Sequence, residues 1–262
     1  MNKYLEKHIW KNKYKNLLNY KIPFPENKFV IYTRGRTGST VLTDLLNCHP
    51  DIFCDVEIFN FMYSKGVVAF PLSYIKSCSK RAALYKRSTY GLKVKIAQLR
   101  YEHKYSNYEK ILSDLSSDGW KFIYLKRENF LRHKLSNILS AESKIFHLLN
   151  SDTVKPPKIR IDCNSLLKGI KFSEEVEKTE KENLINIPHL TLIYENDIID
   201  NSKHQETADK VFSYLGLKSC RVSTNYKRII SDNLEETIQN YDEVYSFFKD
   251  TEYSKYLNEH IQ

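Results

Sequence analysis

Glycine is scarce in this chain. Only seven glycines serve 262 residues, so a turn that holds two of them within four positions, Gly35 and Gly38, is a place where the backbone has an unusual task. The five cysteines (Cys48, Cys54, Cys78, Cys163 and Cys220) are odd in number and form no C-x-x-C pair. That argues against a disulfide framework and a thiolate zinc site, and it fits a reducing compartment. No run of about 18 apolar residues occurs, so no transmembrane helix is expected. The basic start, MNKYLEKHIWKNKYKNLLNY, lacks the apolar core of a signal peptide, and a cytoplasmic protein is expected. Negative charge is in deficit as well: 41 Lys and Arg face 32 Asp and Glu, a formal +9. Such an excess favours an anionic partner, whether nucleic acid, a membrane surface, or a phosphorylated or sulfated small molecule.

What is present is a globular pattern. Hydrophobic residues at 41% and aromatics at 13% exclude extended disorder. Short β-branched or aromatic runs at 29–33, 90–99, 120–126 and 189–195 predict strands. Between them, helical spacing covers 40–48, 105–117, a segment from Asn129 to about Ser143, a charged stretch within 163–187, and 204–217, where Gly216 is a terminator. Strands alternating with helices predict an α/β fold with a central, mostly parallel sheet flanked by helices. No repeat or low-complexity linker interrupts the chain, so one domain over 1–262 is expected, with 1–27 as a peripheral N-terminal segment. Residues 51–90 carry no readable pattern; 58–90 and the helix at 163–187 are expected to shape the acceptor pocket.

The strongest local signal is FVIYTRGRTGSTVL, a buried strand running through a Gly/Ser/Thr turn into a helix. Such a turn gathers free backbone N–H groups and the positive end of a helix at one point, which makes an anion site. Gly38 lets the backbone approach an anion closely, Ser39 and Thr40 add hydroxyls, and Arg36 adds a planar multi-donor cation. A lysine is missing: the nucleoside-triphosphatase pattern G-x-x-x-x-G-K-[ST] is not met, because Ser39 follows Gly38. The turn is therefore suited to a 5′-phosphate group and poorly equipped for Mg·ATP hydrolysis.

Arg36-Thr37-Gly38-Ser39-Thr40, followed by Leu42, the Leu45-Leu46 pair and His49-Pro50, resembles the 5′-phosphosulfate-binding loop of the PAPS-dependent sulfotransferases. The loop is most similar to the carbohydrate and bacterial branch, which has Arg where the cytosolic small-molecule branch usually has Lys. The resemblance implies a P-loop-like sulfotransferase architecture, PAPS as donor, no metal, and a sugar or glycolipid hydroxyl as acceptor. It also implies a second motif, in which Arg127 at the end of the third predicted strand and Ser136 in the following helix hold the 3′-phosphate of the nucleotide. Arg132, one turn from Ser136 on that helix, is placed to assist it. Tyr194-Glu195 is similar to a Tyr-Glu pair common in the family, and 223–228 to its C-terminal basic loop, which places Lys227 or Arg228 near the nucleotide. Specific motifs cover only 33–57 and 123–136.

Sulfuryl transfer requires a base within reach of the acceptor hydroxyl. Glu57, seven residues beyond Pro50, is similar to the catalytic base of carbohydrate sulfotransferases, and Arg36 assists as the cation on the leaving phosphate. Asp55 is the rival base; in an extended segment it would face the same way as Glu57. His49 reads as a capping or core histidine, and Lys93 and Lys95 as cations that line the acceptor pocket or face solvent. Two other functions stay open. A P-loop kinase or nucleotide-sugar glycosyltransferase would use Asp55-x-Glu57 as a metal site. A nucleic-acid-binding protein would stack bases on tyrosines among cations, but no named nucleic-acid motif is present. The expected partners are the small-molecule donor and the acceptor, with no nucleic acid and room for transient contact with a membrane surface.

Overall fold

Seven short strands and nine α-helices organise the residues that the computed structural model describes, 14–146, 148–153, 156–228, 230–231 and 233–257. The strands are β1 (Asn27–Thr33), β2 (Ile52–Cys54), β3 (Thr89–Val94), β4 (Lys121–Lys126), β5 (Leu148–Leu149), β6 (His189–Ile193) and β7 (Tyr226–Lys227). The helices are α1 (Ser39–Asn47), α2 (Phe61–Ser64), α3 (Pro71–Ser79), α4 (Arg81–Leu84), α5 (Tyr108–Ser117), α6 (Phe130–Ser143), α7 (Cys163–Leu184), α8 (His204–Leu215) and α9 (Tyr241–Phe248). Five strands form one all-parallel sheet in the order β2-β3-β1-β4-β6. β5 and β7 pair antiparallel in a separate two-stranded sheet. The fold is thus α/β, with a parallel central sheet flanked by helices in a P-loop-like arrangement.

The sheet is apolar on both faces because helices cover both, as an all-parallel sheet requires. Val30 and Tyr32 of β1, Leu92 of β3 and Phe122 of β4 pack with Ile75 of α3 and Leu112 of α5. The intervening residues Phe29, Ile31, Ile123 and Leu125 face the other way, onto Leu42 and Leu46 of α1 and Val211 and Phe212 of α8. One close approach depends on glycine. Gly91 lies in register with Phe29, and a Cβ there would meet the Phe29 ring at 2.1 Å. A third apolar cluster sits where α6 and α7 meet the C-terminal segment, around Leu135, Leu139, Leu166, Ile170 and Phe248.

Several predicted boundaries shift, each for a local reason. The strand expected over 90–99 stops at Val94, paired with Tyr32, and the chain turns into a π-helical stretch, Gln98–Glu102. The strand expected over 189–195 stops at Ile193, whose N–H donates to Asp197 Oδ2 (2.7 Å), and a π-helical turn, Tyr194–Ile198, follows. Asn129 is the N-cap of α6, its side chain accepting from the N–H of Arg132 (3.0 Å). Residues 51–90 hold the edge strand β2 and helices α2 to α4. Of the N-terminal segment, residues 1–13 lie outside the described residues. From Tyr14 on it is anchored: the Tyr14 ring is buried, and its hydroxyl accepts from the N–H of Phe70 (3.1 Å).

Candidate functional site

Open α/β sheets bind ligands beyond the carboxyl ends of their strands, where neighbouring connections leave on opposite sides. Here β1 leads through α1 to β2, which lies beyond β3 on one side of it, while β4 is its neighbour on the other, so the switch falls between β1 and β4. The turn after β1 and the loop after β4 meet at that point and border a cleft of about 1120 Å³.

The first wall is the turn 34–38. Thr37 is buried; its Oγ1 meets Thr33 Oγ1 (2.6 Å) and donates to the Arg34 carbonyl (3.0 Å), closing the turn on itself. It does not line the cleft, so its hydroxyl is structural, although the resemblance groups it with the nucleotide contacts. Gly38 is the N-cap of α1 in left-handed backbone (φ 78°), and no side chain caps the helix. The helix ladder begins with the N–H of Leu42 on the Gly38 carbonyl (3.0 Å). The preceding N–H groups of α1 remain for an anion, at the positive end of the helix dipole. Gly38 is required for a reason beyond its backbone angle: a Cβ would meet Ile198 Cγ2 at 2.5 Å and the Tyr194 ring at 2.9 Å. Its smallness admits Tyr194 and Ile198 on that side of the turn.

Arg36 also holds left-handed backbone (φ 64°), a conformation that costs a residue with a Cβ about 1 kcal/mol. Its carbonyl accepts from Arg127 Nη1 (3.3 Å). Its side chain crosses the cleft: Nε donates to Ser136 Oγ (3.0 Å) and Nη1 to the Phe146 carbonyl (2.6 Å). Residues that the resemblance assigns to opposite ends of one nucleotide therefore touch. Burial and, next, the neighbouring Arg127 cation lower the pKa of the Arg36 guanidinium, the cost of holding two cations together.

Glu195 braces the second wall. Its two carboxylate oxygens accept from the N–H groups of Glu128 and Asn129 (3.0 Å each), and Oε1 lies 3.6 Å from Arg127 Nε. The Arg127 guanidinium lies over the Tyr194 ring, 4.4 Å from its centroid. The Tyr194-Glu195 pair thus orients Arg127 from beneath. From α6, His133 donates through Nε2 to the Gly35 carbonyl (2.7 Å). Burial, followed by the Arg34 and Arg127 cations, pushes its pKa well below the usual value and keeps the ring neutral. Arg132 points away from the cleft. It is buried and donates to the Ser231 carbonyl (3.3 Å), so it ties down the C-terminal segment instead of assisting Ser136.

The third wall carries the candidate base. Glu57 Oε1 is 2.7 Å from Lys95 Nζ and 3.9 Å from Lys93 Nζ, and Oε2 accepts from Gln98 Nε2 (2.9 Å). Lys93 is 4% exposed, and its pKa is lowered chiefly by burial. Lys95 Nζ also lies 3.7 Å from where a Gly35 Cβ would stand, so one ammonium borders both the turn and Glu57. Asp55, the rival, turns inward: Oδ2 accepts from Arg81 Nη1 (2.5 Å) and the Tyr90 hydroxyl (3.0 Å). Asp55 and Glu57 have separate partners, which does not fit a shared Asp-x-Glu metal site. His49 is a core histidine, its Nδ1 accepting from the N–H of Asp51 (3.0 Å) and its Nε2 donating to the Lys218 carbonyl (3.0 Å).

Of the residues singled out from the sequence, Arg36, Gly38, Ser39, Thr40, Glu57, Arg127 and Ser136 border the one cleft, together with Lys93, Lys95, Lys227 and Arg228. The long helix α7 supplies none of the lining and instead braces the turn from behind, where Glu180 Oε2 meets Arg34 Nε (3.1 Å). From residues 51–90 only Val56, Glu57, Asn60 and Tyr63 reach the cleft. The outer wall, apart from the 223–228 loop, was not legible: it adds Phe146 just before β5, Leu148 within it, and Ile230 after β7. A two-residue strand has no periodicity to read.

Fold and cleft together define a P-loop-like α/β structure of the nucleotide-binding kind, with a cationic crevice at the switch point. Compared with known proteins, the chain matches no family model and no curated protein.

Proposed function

We propose that the chain is a sulfotransferase that moves the sulfuryl group of PAPS to a hydroxyl of a carbohydrate or glycolipid acceptor. The observation that carries this reading is the convergence of the Arg36–Thr40 turn, Arg127, Ser136 and Glu57 on one cleft. The α1 N-terminus and Arg36 would hold the 5′-phosphate of the donor, and Arg127 with Ser136 its 3′-phosphate, once the Arg36 side chain yields Ser136 to the nucleotide. The sulfuryl group would then lie between the turn and Glu57, beside Lys95.

In the reaction an acceptor oxygen attacks sulfur in line with the bridging oxygen. The new O–S bond forms as the old one breaks, and adenosine 3′,5′-bisphosphate leaves with the bond's electron pair. Glu57 takes the acceptor proton through the oxygen that the hydroxyl frees from Lys95 or Gln98. Charge building on the leaving phosphate is met by Arg36 and the free N–H groups of α1, already oriented before the reaction. Lys95 neutralises charge on the sulfuryl oxygens in flight.

Thermal melting tests the reading. Adenosine 3′,5′-bisphosphate should raise Tm without Mg²⁺ and by more than ATP with Mg²⁺, through linkage to the folded state. The reverse order would favour a kinase. Strong, salt-sensitive RNA binding with no response to the bisphosphate would favour a nucleic-acid partner.

A further inference from the structure

The positive charge of this chain is not spread evenly. From residue 58 to residue 101 there are nine lysines and arginines and no aspartate or glutamate. This stretch alone equals the whole formal excess of +9. Among the described residues it also presents the densest run of exposed apolar side chains: Phe61 is 45% exposed, Met62 85%, Val67 57% and Phe70 56%. Lys65, between them, and Arg100 are exposed cations.

This ridge is built into the acceptor side of the cleft. Asn60, which lines the cleft, caps α2 by accepting from the N–H groups of Met62 and Tyr63. Tyr63 lines the cleft too, and its hydroxyl accepts from Arg81 Nη1 (2.7 Å), the group that holds Asp55. Arg100 lies against Tyr101, and the next residue, Glu102, accepts from the N–H of Phe61 (3.1 Å), which joins that cation to the ridge. A displacement of the ridge is therefore a displacement of the cleft wall next to Glu57.

We propose that the ridge 61–70 docks on an anionic lipid surface and holds the acceptor end of the cleft against it. Aliphatic Met62 and Val67 cannot stack on a base or pair with a phosphate, so nucleic acid would leave them exposed. A lipid interface takes aliphatic and aromatic groups alike while its headgroups attract the exposed cations Lys65 and Arg100; the inner cations Arg81, Lys93 and Lys95 are held by Asp55 and Glu57. If the sulfotransferase reading holds, on which this last step rests, the acceptor is a lipid-anchored carbohydrate presented from that surface.

Co-sedimentation of the full chain with vesicles tests the docking. The protein should bind vesicles of phosphatidylcholine mixed with phosphatidylglycerol and not phosphatidylcholine alone. Met62→Asp and Val67→Asp should each weaken binding about tenfold, and added salt should weaken it further. Neither residue lines the cleft, so the Tm response to adenosine 3′,5′-bisphosphate should be the same in both variants and serves as the check on folding. The docking is overturned if neither vesicle binds, if the variants bind like the parent, or if the parent is a dimer that Met62→Asp dissociates. For the acceptor, label from sulfate-labelled PAPS should enter the organic-extractable lipids of host membranes, and fall about tenfold in Met62→Asp. Label confined to water-soluble carbohydrate overturns the lipid-anchored acceptor alone, and label in neither fraction overturns the sulfotransfer.

Discussion

Arg36 is the residue on which the cleft turns. It holds left-handed backbone without being glycine, and its guanidinium spans from the phosphate turn to Ser136. Arg36→Ala should weaken adenosine 3′,5′-bisphosphate binding about 10- to 100-fold, the loss of a charge-assisted contact, and Ser136→Ala should weaken it less. Isothermal titration reads both. Glu57→Gln should leave that affinity within about threefold, because the proposed reading puts Glu57 on the acceptor side, and should reduce turnover by at least about 100-fold. Retained turnover would remove Glu57 as the base. Behind the turn, burial pushes the Glu180 carboxyl up to about 7 although Arg34 opposes it. A carboxyl raised above its unfolded value binds more protons when folded, so its contribution to stability falls as pH rises from about 4.5 to about 7. His133, with its pKa depressed, contributes in the opposite sense, losing stability as pH falls below about 6.5. The two trends offset each other in the native chain. The Tm of Glu180→Gln minus that of the parent should therefore grow with pH across the Glu180 range.

At the scale of elements, Glu195 is the fastening between β6 and the start of α6. It receives two backbone N–H groups and stands beside the buried Arg127. Glu195→Ala would leave the two N–H groups without that acceptor and Arg127 without its carboxylate, at a cost of about 3–5 kcal/mol. Scanning calorimetry should show Tm lower by roughly 10 °C, with nucleotide affinity reduced as well. Elements with a repeating pattern were legible before the structure: β1, β4, α1, α6 and α8 fall within a residue or two of their expected spans. Elements set by tertiary contact were not. β2 is three residues long and exists because β3 lies beside it. The π-helical turns after β3 and β6 begin where the ladder with the neighbouring strand runs out, a boundary no single segment encodes. The same holds for the site: Arg36, Arg127, Ser136 and Glu57 were visible because each stands at a motif, whereas the roles of His133 and Lys95 depend on what faces them. Asp55 and Glu57, two residues apart, part ways because Arg81 and Tyr90 capture one and Lys95 the other.

Over the whole molecule, three apolar clusters divide the work. Two clamp the sheet from its faces, and the third joins α6 and α7 to the C-terminal segment. α7 spans roughly 33 Å, from Leu166 in the third cluster to Leu184 under the sheet, so one helix joins those two cores. Among the described residues no helix is long and apolar enough to cross a membrane. The outer wall is of a different character from these cores. β5 and β7 meet over two residue pairs, Leu148 with Lys227 and Leu149 with Tyr226. A latch that slight can undo and refasten while the sheet stays intact. Opening it would widen the cleft at its outer wall without any breathing of the interior. Deuterium should accordingly enter the amides of 148–149 and 226–227 long before those of β1 and β4, and bound nucleotide should slow that uptake.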